Sequence, residues 1–246
     1  MKDLRIIPLR VGTLERDQSV MTYLTGMGQR VIMPASMWFI QGTEKKILVD
    51  TGPSDPDGMG AYHRPYTRES SEHPVAALRS IGLKPEDIEV VINTHLHWDH
   101  CSNNYLFKDA EFYVQKEELR YAIAPLPAHL DVYDSLFTGR CPTFMEVHNY
   151  KVIEGDSEIV PGVSVIVTPG HSPGCQTVLV ETGKGVYAIT GDTVPMYKNI
   201  ESGKQIPHGV HVNLEDCYRS FERLKETGAT ILPGHDEMVF GKEIYP

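Results

Sequence analysis

The sequence predicts an α/β fold in a single domain covering residues 1–246. Three observations point to it. Ten short β-rich runs recur along the chain, most of them bounded by Gly, Pro or Asp. Three helical patterns are interleaved with them. No internal repeat or low-complexity linker divides the chain, and 246 residues suffice for one large two-layered unit.

In chain order, the strand runs are residues 4–11, 37–41, 46–50, 89–93, 111–114, 151–154, 163–168, 176–181, 185–190 and 230–232. Gly183-Lys184 separates two of them as a hairpin turn would. The first helix spans about residues 74–81, with Pro74 at an early position and Gly82 as its stop. The second covers about 116–124 and ends at Pro125. In the third, Asn213 is the cap and Asp216 sits where a capping-box acid would. There Cys217, Phe221 and Leu224 form an i, i+4, i+7 stripe, and Gly228 closes the helix. Residues 125–143 are the least regular stretch. They read as a long loop or short helical insertion, either part of a pocket or a plain surface feature.

Apolar residues make up 41% and charged residues 23%, ordinary values for a soluble globular protein. Acidic residues outnumber basic ones by 33 to 23, a net charge of −10, and the longest basic run is Lys45-Lys46. A duplex-binding stripe is therefore not expected, and neither is a nucleic-acid partner. Cys101, Cys141, Cys175 and Cys217 form no CxxC, which argues against a zinc ribbon or a dense disulfide framework. A reducing cytoplasm is the expected setting. No h-region follows Met1-Lys2-Asp3-Leu4-Arg5, so no secretory signal is expected. No apolar stretch is long enough to span a bilayer.

The strongest chemical feature is His95-Leu96-His97-Trp98-Asp99-His100, directly after the apolar run Ile88-Glu89-Val90-Val91-Ile92-Asn93-Thr94. While the chain is extended, His95 and His97 point to the same side. A turn then carries Asp99 and His100 to a second position, so the cluster can serve two ions. Further candidates follow other strands: His171 after Thr168-Pro169-Gly170, Asp192 after Thr190-Gly191, and His235 after Leu232-Pro233-Gly234. Each is a His or Asp preceded by Gly at a strand end, and such residues can converge on one cleft. Imidazole and carboxylate donors suit Zn²⁺, and also Fe, Mn or Co. Asp192, a carboxylate, can bridge two ions held roughly 3.5–4 Å apart.

This HxHxDH motif with separate later His, Asp and His resembles the metallo-β-lactamase superfamily, and all seven positions match. The resemblance implies an αβ/βα sandwich, two packed mixed sheets flanked by helices, with a dinuclear centre at one edge. It implies that His95, His97 and His171 bind one ion, that Asp99, His100 and His235 bind the other, and that Asp192 bridges them. Asp50, in Leu48-Val49-Asp50-Thr51-Gly52, matches the superfamily's early Asp, a support for the ligands.

Within the superfamily, flavodiiron-type members carry Glu where this chain has His97. The β-lactamases nearest the clinical enzymes carry Cys where Asp99 or His100 stands. Nuclease members usually carry further substrate-binding domains. The chain is most similar to the N-acyl-homoserine lactonases, on Lys46-Ile47-Leu48-Val49-Asp50-Thr51-Gly52, residues 149–163 and Thr168-Pro169-Gly170-His171-Ser172-Pro173-Gly174. That likeness implies opening of a lactone ester by a hydroxide shared between the ions, with a small-molecule ester or lactone as substrate. Asp99 is then expected to collect the proton and pass it to the leaving alkoxide. The lactonases use a Tyr shortly after the bridging Asp. Tyr197, five residues past Asp192, is the candidate oxyanion partner, against a plain packing role. A homodimer is also implied. Trp98 and Cys101-Ser102-Asn103-Asn104 depart from the usual lactonase pattern and reshape the expected pocket.

Another thioester, aryl ester or phosphodiester substrate stays open on the sequence, as does a non-catalytic metal- or ligand-binding module. Cys101 and Cys175 read as small buried hydrophobes rather than ligands. Met21, Met27, Met33, Met37, Trp38 and Phe39 line an acyl channel, form a subunit interface or simply pack the core. His63, His73, His129, His148, His208 and His211 lack a ligand-like context and read as surface or packing residues.

Overall fold

A computed structural model describes residues 4–58, 63, 65–134 and 141–246. Twelve strands among them form two sheets. β1 (Arg5–Asp17), β2 (Arg30–Gln41), β3 (Ile47–Val49), β4 (Tyr66–Thr67), β5 (Val90–Ile92), β6 (Glu111–Gln115) and β7 (Tyr150–Ile153) run in the order β4-β1-β2-β3-β5-β6-β7. β8 (Ser157–Val160), β9 (Val163–Val167), β10 (Gln176–Thr182), β11 (Gly185–Ile189) and β12 (Thr230–Leu232) run in the order β12-β11-β10-β9-β8. Both sheets are mixed: β3, β5, β6 and β7 are parallel in the first, and only β11 and β12 in the second.

Side-chain alternation explains why the sheets stack. Register aligns Ile6, Ile40, Ile47 and Val90 across the first sheet. It aligns Val165, Val178, Ile189 and Leu232 across the second. All eight lie in one buried cluster between the layers. Each such side chain stabilises the fold by about 1.5–3 kcal/mol through its burial. The opposite face of the first sheet, with Phe39, Leu48, Val91 and Phe112, packs with Ala77 and Leu78 of α2 (Pro74–Ser80). The outer face of the second sheet packs Ile166 and Ile231 with Phe221 and Leu224 of α5 (Leu214–Glu226). Helices thus cover both outer faces, the αβ/βα sandwich expected from the sequence.

The two sheets are tied at the edge where the chemistry lies. The Gln176 backbone N–H donates to the Thr94 carbonyl at 2.9 Å, and its side-chain amide donates to Asn93 O at 2.8 Å. Two short helices were not legible: α1 (Gln18–Met21) and α3 (Trp98–Cys101). The helix over residues 116–124 is α4 (Lys116–Ile123). Asn213 caps α5 as expected, accepting from the Glu215 and Asp216 N–H groups. Asp216 does not complete a capping box; its carboxylate takes Arg219 at 2.8 Å, one turn on. Of the irregular stretch 125–143, residues 135–140 lie outside those described. Its remainder includes a 3₁₀ turn at Pro127–His129 and a buried Tyr133. No helix among the described residues is long and apolar enough to cross a membrane.

Candidate metal centre

β5 ends at Ile92, and the chain stays extended through His97, whose φ of −68° and ψ of 152° make it the residue that opens α3. One turn of α3 then redirects Asp99 and His100. The second sheet supplies the other candidates from strand ends: His171 after β9, Asp192 after β11 and His235 after β12. The preceding glycines have a steric reason. At Gly170, with φ of +131°, a Cβ would stand 2.4 Å from the Cys217 nitrogen. At Gly191, with φ of +50°, it would stand 2.6 Å from Thr94 Oγ1. Only a glycine lets those turns approach so closely.

All seven predicted residues meet. The donor atoms of His95, His97 and His171 lie within 4.8 Å of one another, and so do those of Asp99, His100 and His235. Asp192 lies between the groups: its Oδ2 is 3.4 Å from His171 Nε2, and its Oδ1 is 3.0 Å from His235 Nε2 and 3.4 Å from His100 Nε2. Ring nitrogens face one another without acceptors between them, His97 Nδ1 to His171 Nε2 at 2.9 Å and His100 Nε2 to His235 Nε2 at 3.2 Å. His95 Nε2 and Asp192 Oδ1 are buried with no hydrogen-bond partner. Orphaned polar atoms are costly in an interior unless something completes them. Two divalent cations fit these N- and O-donor sets.

The outer hydrogen bonds fix which nitrogens face inward. His171 Nδ1 meets Val210 O at 2.8 Å, His235 Nδ1 meets Pro34 O at 2.8 Å, and His100 Nδ1 meets Asp50 Oδ2 at 2.8 Å. Each acceptor draws the proton to Nδ1 and leaves Nε2 bare toward the centre. Asp50 also accepts from the Thr94 N–H and Oγ1, both at 2.7 Å. That hydroxyl in turn is 3.1 Å from His95 Nδ1 and takes its proton. The support expected of Asp50 is therefore a physical link to two of the candidate ligands.

Burial, and after it the neighbouring imidazoles, hold His95 and His97 well below the ordinary histidine range. Burial also lowers His171. Burial pulls the same way on His100 and His235, but Asp192 and Asp99 (and Asp50 for His100) outweigh it and raise both. Burial would raise Asp192; His235 and His100 outweigh it and hold the carboxyl well below its usual value.

Three findings depart from the sequence expectations. Tyr197 is not brought to the cluster: its hydroxyl donates to Ile231 O at 3.1 Å and its ring packs on the core between the sheets. The cause is local, since its N–H donates to Asp236 at 2.9 Å and starts a 3₁₀ turn that sends the ring inward. His208, read as surface or packing, is buried with Nε2 3.5 Å from Asp192 Oδ2. Burial, then the His171 imidazole, push it down to about 3, so it is neutral. Glu118 of α4 was missed. Its buried carboxylate accepts from Leu96 N at 2.9 Å, Tyr133 OH at 2.9 Å, Ser172 Oγ at 2.6 Å and Gly174 N at 3.1 Å. It thereby joins the first motif to the His171 turn. A signal existed: Glu118 shares a helix face with Ala122, four residues on, and that face is buried.

Cys101 and Cys175 are buried, as expected, and Cys101 Sγ donates to Leu96 O at 3.3 Å. The centre opens on a cleft whose apolar wall is Val20, Met21, Met33, Trp98, Val132 and Val210. Met37, Trp38 and Phe39 are core, whereas Met27 is exposed. Trp98 stacks on His63 at 3.9 Å between ring centroids. Arg16 reaches the cleft, but its guanidinium is engaged by the carbonyls of Glu15, Pro65 and His63.

The pattern of the metallo-beta-lactamase superfamily matches residues 31–235, a span that contains all seven candidate ligands. An N-acyl homoserine lactonase of Bacillus cereus is 32% identical over 261 aligned positions, covering 100% of this chain and 98% of that protein. A crystal structure of a B. thuringiensis AiiA mutant with N-decanoyl-L-homoserine bound at the active site superposes with a TM-score of 0.82. It is 27% identical and covers 98% of this chain and 96% of that one. An N-acyl homoserine lactone hydrolase with N-hexanoyl-L-homoserine bound at its catalytic metal centre superposes at 0.81, with 27% identity and the same coverage. Two sheets of this order, seven convergent donors and full-length likeness agree: the chain belongs to the metallo-beta-lactamase superfamily and, within it, to the N-acyl homoserine lactonases.

Proposed function

We propose that the chain is a dinuclear metal-dependent hydrolase that opens the lactone ring of N-acyl homoserine lactones, a quorum-quenching activity. The observation that carries this reading is the seven-donor cluster, with outer hydrogen bonds orienting His95, His100, His171 and His235, placed on an apolar-walled cleft. Full-length likeness to the lactonases supports the substrate class. His95, His97 and His171 would hold one cation, Asp99, His100 and His235 the other, with Asp192 shared. Zinc suits this donor set. When bound, the two cations polarise the ester carbonyl and lower the pKa of water to near neutrality.

Asp99 is the residue fitted to move the proton. Its side chain is 15% exposed, against 5% or less for the other six. Among the described residues no protein group hydrogen-bonds its carboxylate. It accepts a proton from the attacking water and returns it to the ring oxygen as the acyl C–O bond breaks. The product is a hydroxy acid, which ionises and releases one proton at neutral pH. Val20, Met21 and Met33 offer the acyl tail an apolar wall, and its burial there adds binding energy.

Hydrolysis in heavy-oxygen water tests the bond cleaved. The label is expected in the carboxylate of N-acyl homoserine, read by mass spectrometry. Release of free fatty acid, which is amide cleavage, would refute the reading.

A further inference from the structure

His208 lines the cleft with its proton arranged opposite to those of His100, His171 and His235. His208 Nδ1 lies 2.9 Å from the Val210 N–H and 3.0 Å from the Val210 carbonyl. That carbonyl already accepts from His171 Nδ1 at 2.8 Å. Among the described residues, the Val210 N–H has no acceptor other than His208 Nδ1. A proton on Nδ1 would set two N–H groups against each other at 2.9 Å. Nδ1 is therefore the acceptor and the proton sits on Nε2. His100, His171 and His235 carry theirs on Nδ1, with bare Nε2 atoms facing the centre.

A histidine with a protonated Nε2 cannot ligate through it. The His208 Nε2–H is nevertheless aimed at the cluster, 3.5 Å from Asp192 Oδ2 and without hydrogen-bond geometry to it. Its place is fixed on both sides. Tyr23 N–H donates to Pro207 O at 2.9 Å, and Gly209 N–H donates to Val20 O at 2.7 Å. The donor is thus held ready before substrate arrives, the condition under which a hydrogen bond to developing charge accelerates a reaction. The tyrosine expected in that capacity, Tyr197, gives its hydroxyl proton to Ile231 O instead.

We infer that His208 is a catalytic hydrogen-bond donor, not a metal ligand, and that its Nε2–H takes the ester carbonyl oxygen as negative charge builds there. The inference rests on the lactonase reading for its substrate and on the tautomer alone for its claim against ligation.

The test has two arms. Nitrogen-15 NMR of the histidine rings in the zinc-loaded wild-type protein is expected to show His208 protonated at Nε2 with Nδ1 as acceptor. A proton on Nδ1, or loss of one zinc equivalent in His208→Phe, would make His208 a ligand and overturn the inference, leaving the lactonase reading intact. In the second arm, His208→Phe with both metals retained is expected to lose roughly 10²-fold in kcat. His208→Gln, which keeps a donor, should recover part of it. An unchanged kcat, or a change confined to KM, would overturn the assignment to the ester carbonyl. If the wild-type protein opens no lactone, the functional reading fails, and the NMR arm still decides the tautomer.

Discussion

Asp99 and Asp50 separate two duties that a carboxylate can have beside a metal. Asp99 lines the cleft, with Oδ2 3.6 Å from His235 Nε2 and Oδ1 3.9 Å from His100 Nε2. Asp99→Asn keeps an oxygen donor but cannot accept the proton. With both metals loaded, turnover should fall roughly 10²–10⁴-fold, measured as kcat against metal content. A fully loaded variant with normal turnover would remove Asp99 from proton transfer. Asp50 instead accepts from His100 Nδ1 and from Thr94, and touches no site open to substrate. Asp50→Asn places an amide against those donors and should weaken metal affinity by roughly 10–100-fold, read by chelator competition. Unchanged affinity would contradict the supporting role. The six-residue motif was legible because its candidate ligands lie within six residues and follow an apolar strand. His208 was not, because a lone histidine between Pro207 and Gly209 carries no mark of where its loop returns. Tyr197 misled for the same reason: nearness in sequence to Asp192 says nothing of a 3₁₀ turn that points its ring the other way.

Elements with strong local punctuation were readable. The β10–β11 hairpin pairs Thr182 with Gly185 around Gly183-Lys184, and α5 begins at its Asn213 cap. The long arms of β1 and β2 were not. Beyond the bulge between Arg10 and Gly12, polar residues of β1 face apolar ones of β2, Glu15 opposite Ile32 and Arg16 opposite Val31, and the apolar alternation fades. β8 was lost to a similar irregularity between Glu158 and Val160. At this scale α4 matters most, since Glu118 is its link to both ligand turns. Burial is the largest influence on that carboxyl and raises it, while Ser172, Leu96, Tyr133 and Gly174 oppose the rise without cancelling it. Between the unfolded value near 4.5 and the raised folded value, the folded state holds more protons than the unfolded one. The slope of stability with pH is then negative for this group. Its contribution is full below the unfolded value and is lost as pH rises through the folded one. Urea melts of chelated wild type and Glu118→Gln across that window should show a stability difference that shrinks with rising pH. A difference independent of pH would contradict the account.

At the scale of the molecule, the candidate ligands come from both layers: residues 95–100 from the first sheet's edge, His171, Asp192 and His235 from the second. Cations there would clamp one sheet to the other, so metal and stability are linked. At a thousandfold excess over the dissociation constant the linkage is worth about 4 kcal/mol, or roughly 10 °C in Tm for a chain of this size. Calorimetry before and after chelation should show a drop of that order; an unchanged Tm would mean the centre binds no ion in the folded state. The overall layering was legible because apolar strands and strand-end ligands recur in order along the chain. The convergence of the cleft wall was not, since Val20 comes from α1 and Val132 and Val210 from two loops far apart in sequence. The central claim is that this centre hydrolyses acyl-homoserine lactones. It is tested most directly by acid release at constant pH on those lactones, with metal-replete and chelated protein side by side. The account predicts one proton per lactone opened, abolished by the chelator and restored by zinc. Metal-replete protein that opens none of them, whatever the chain length, would contradict it.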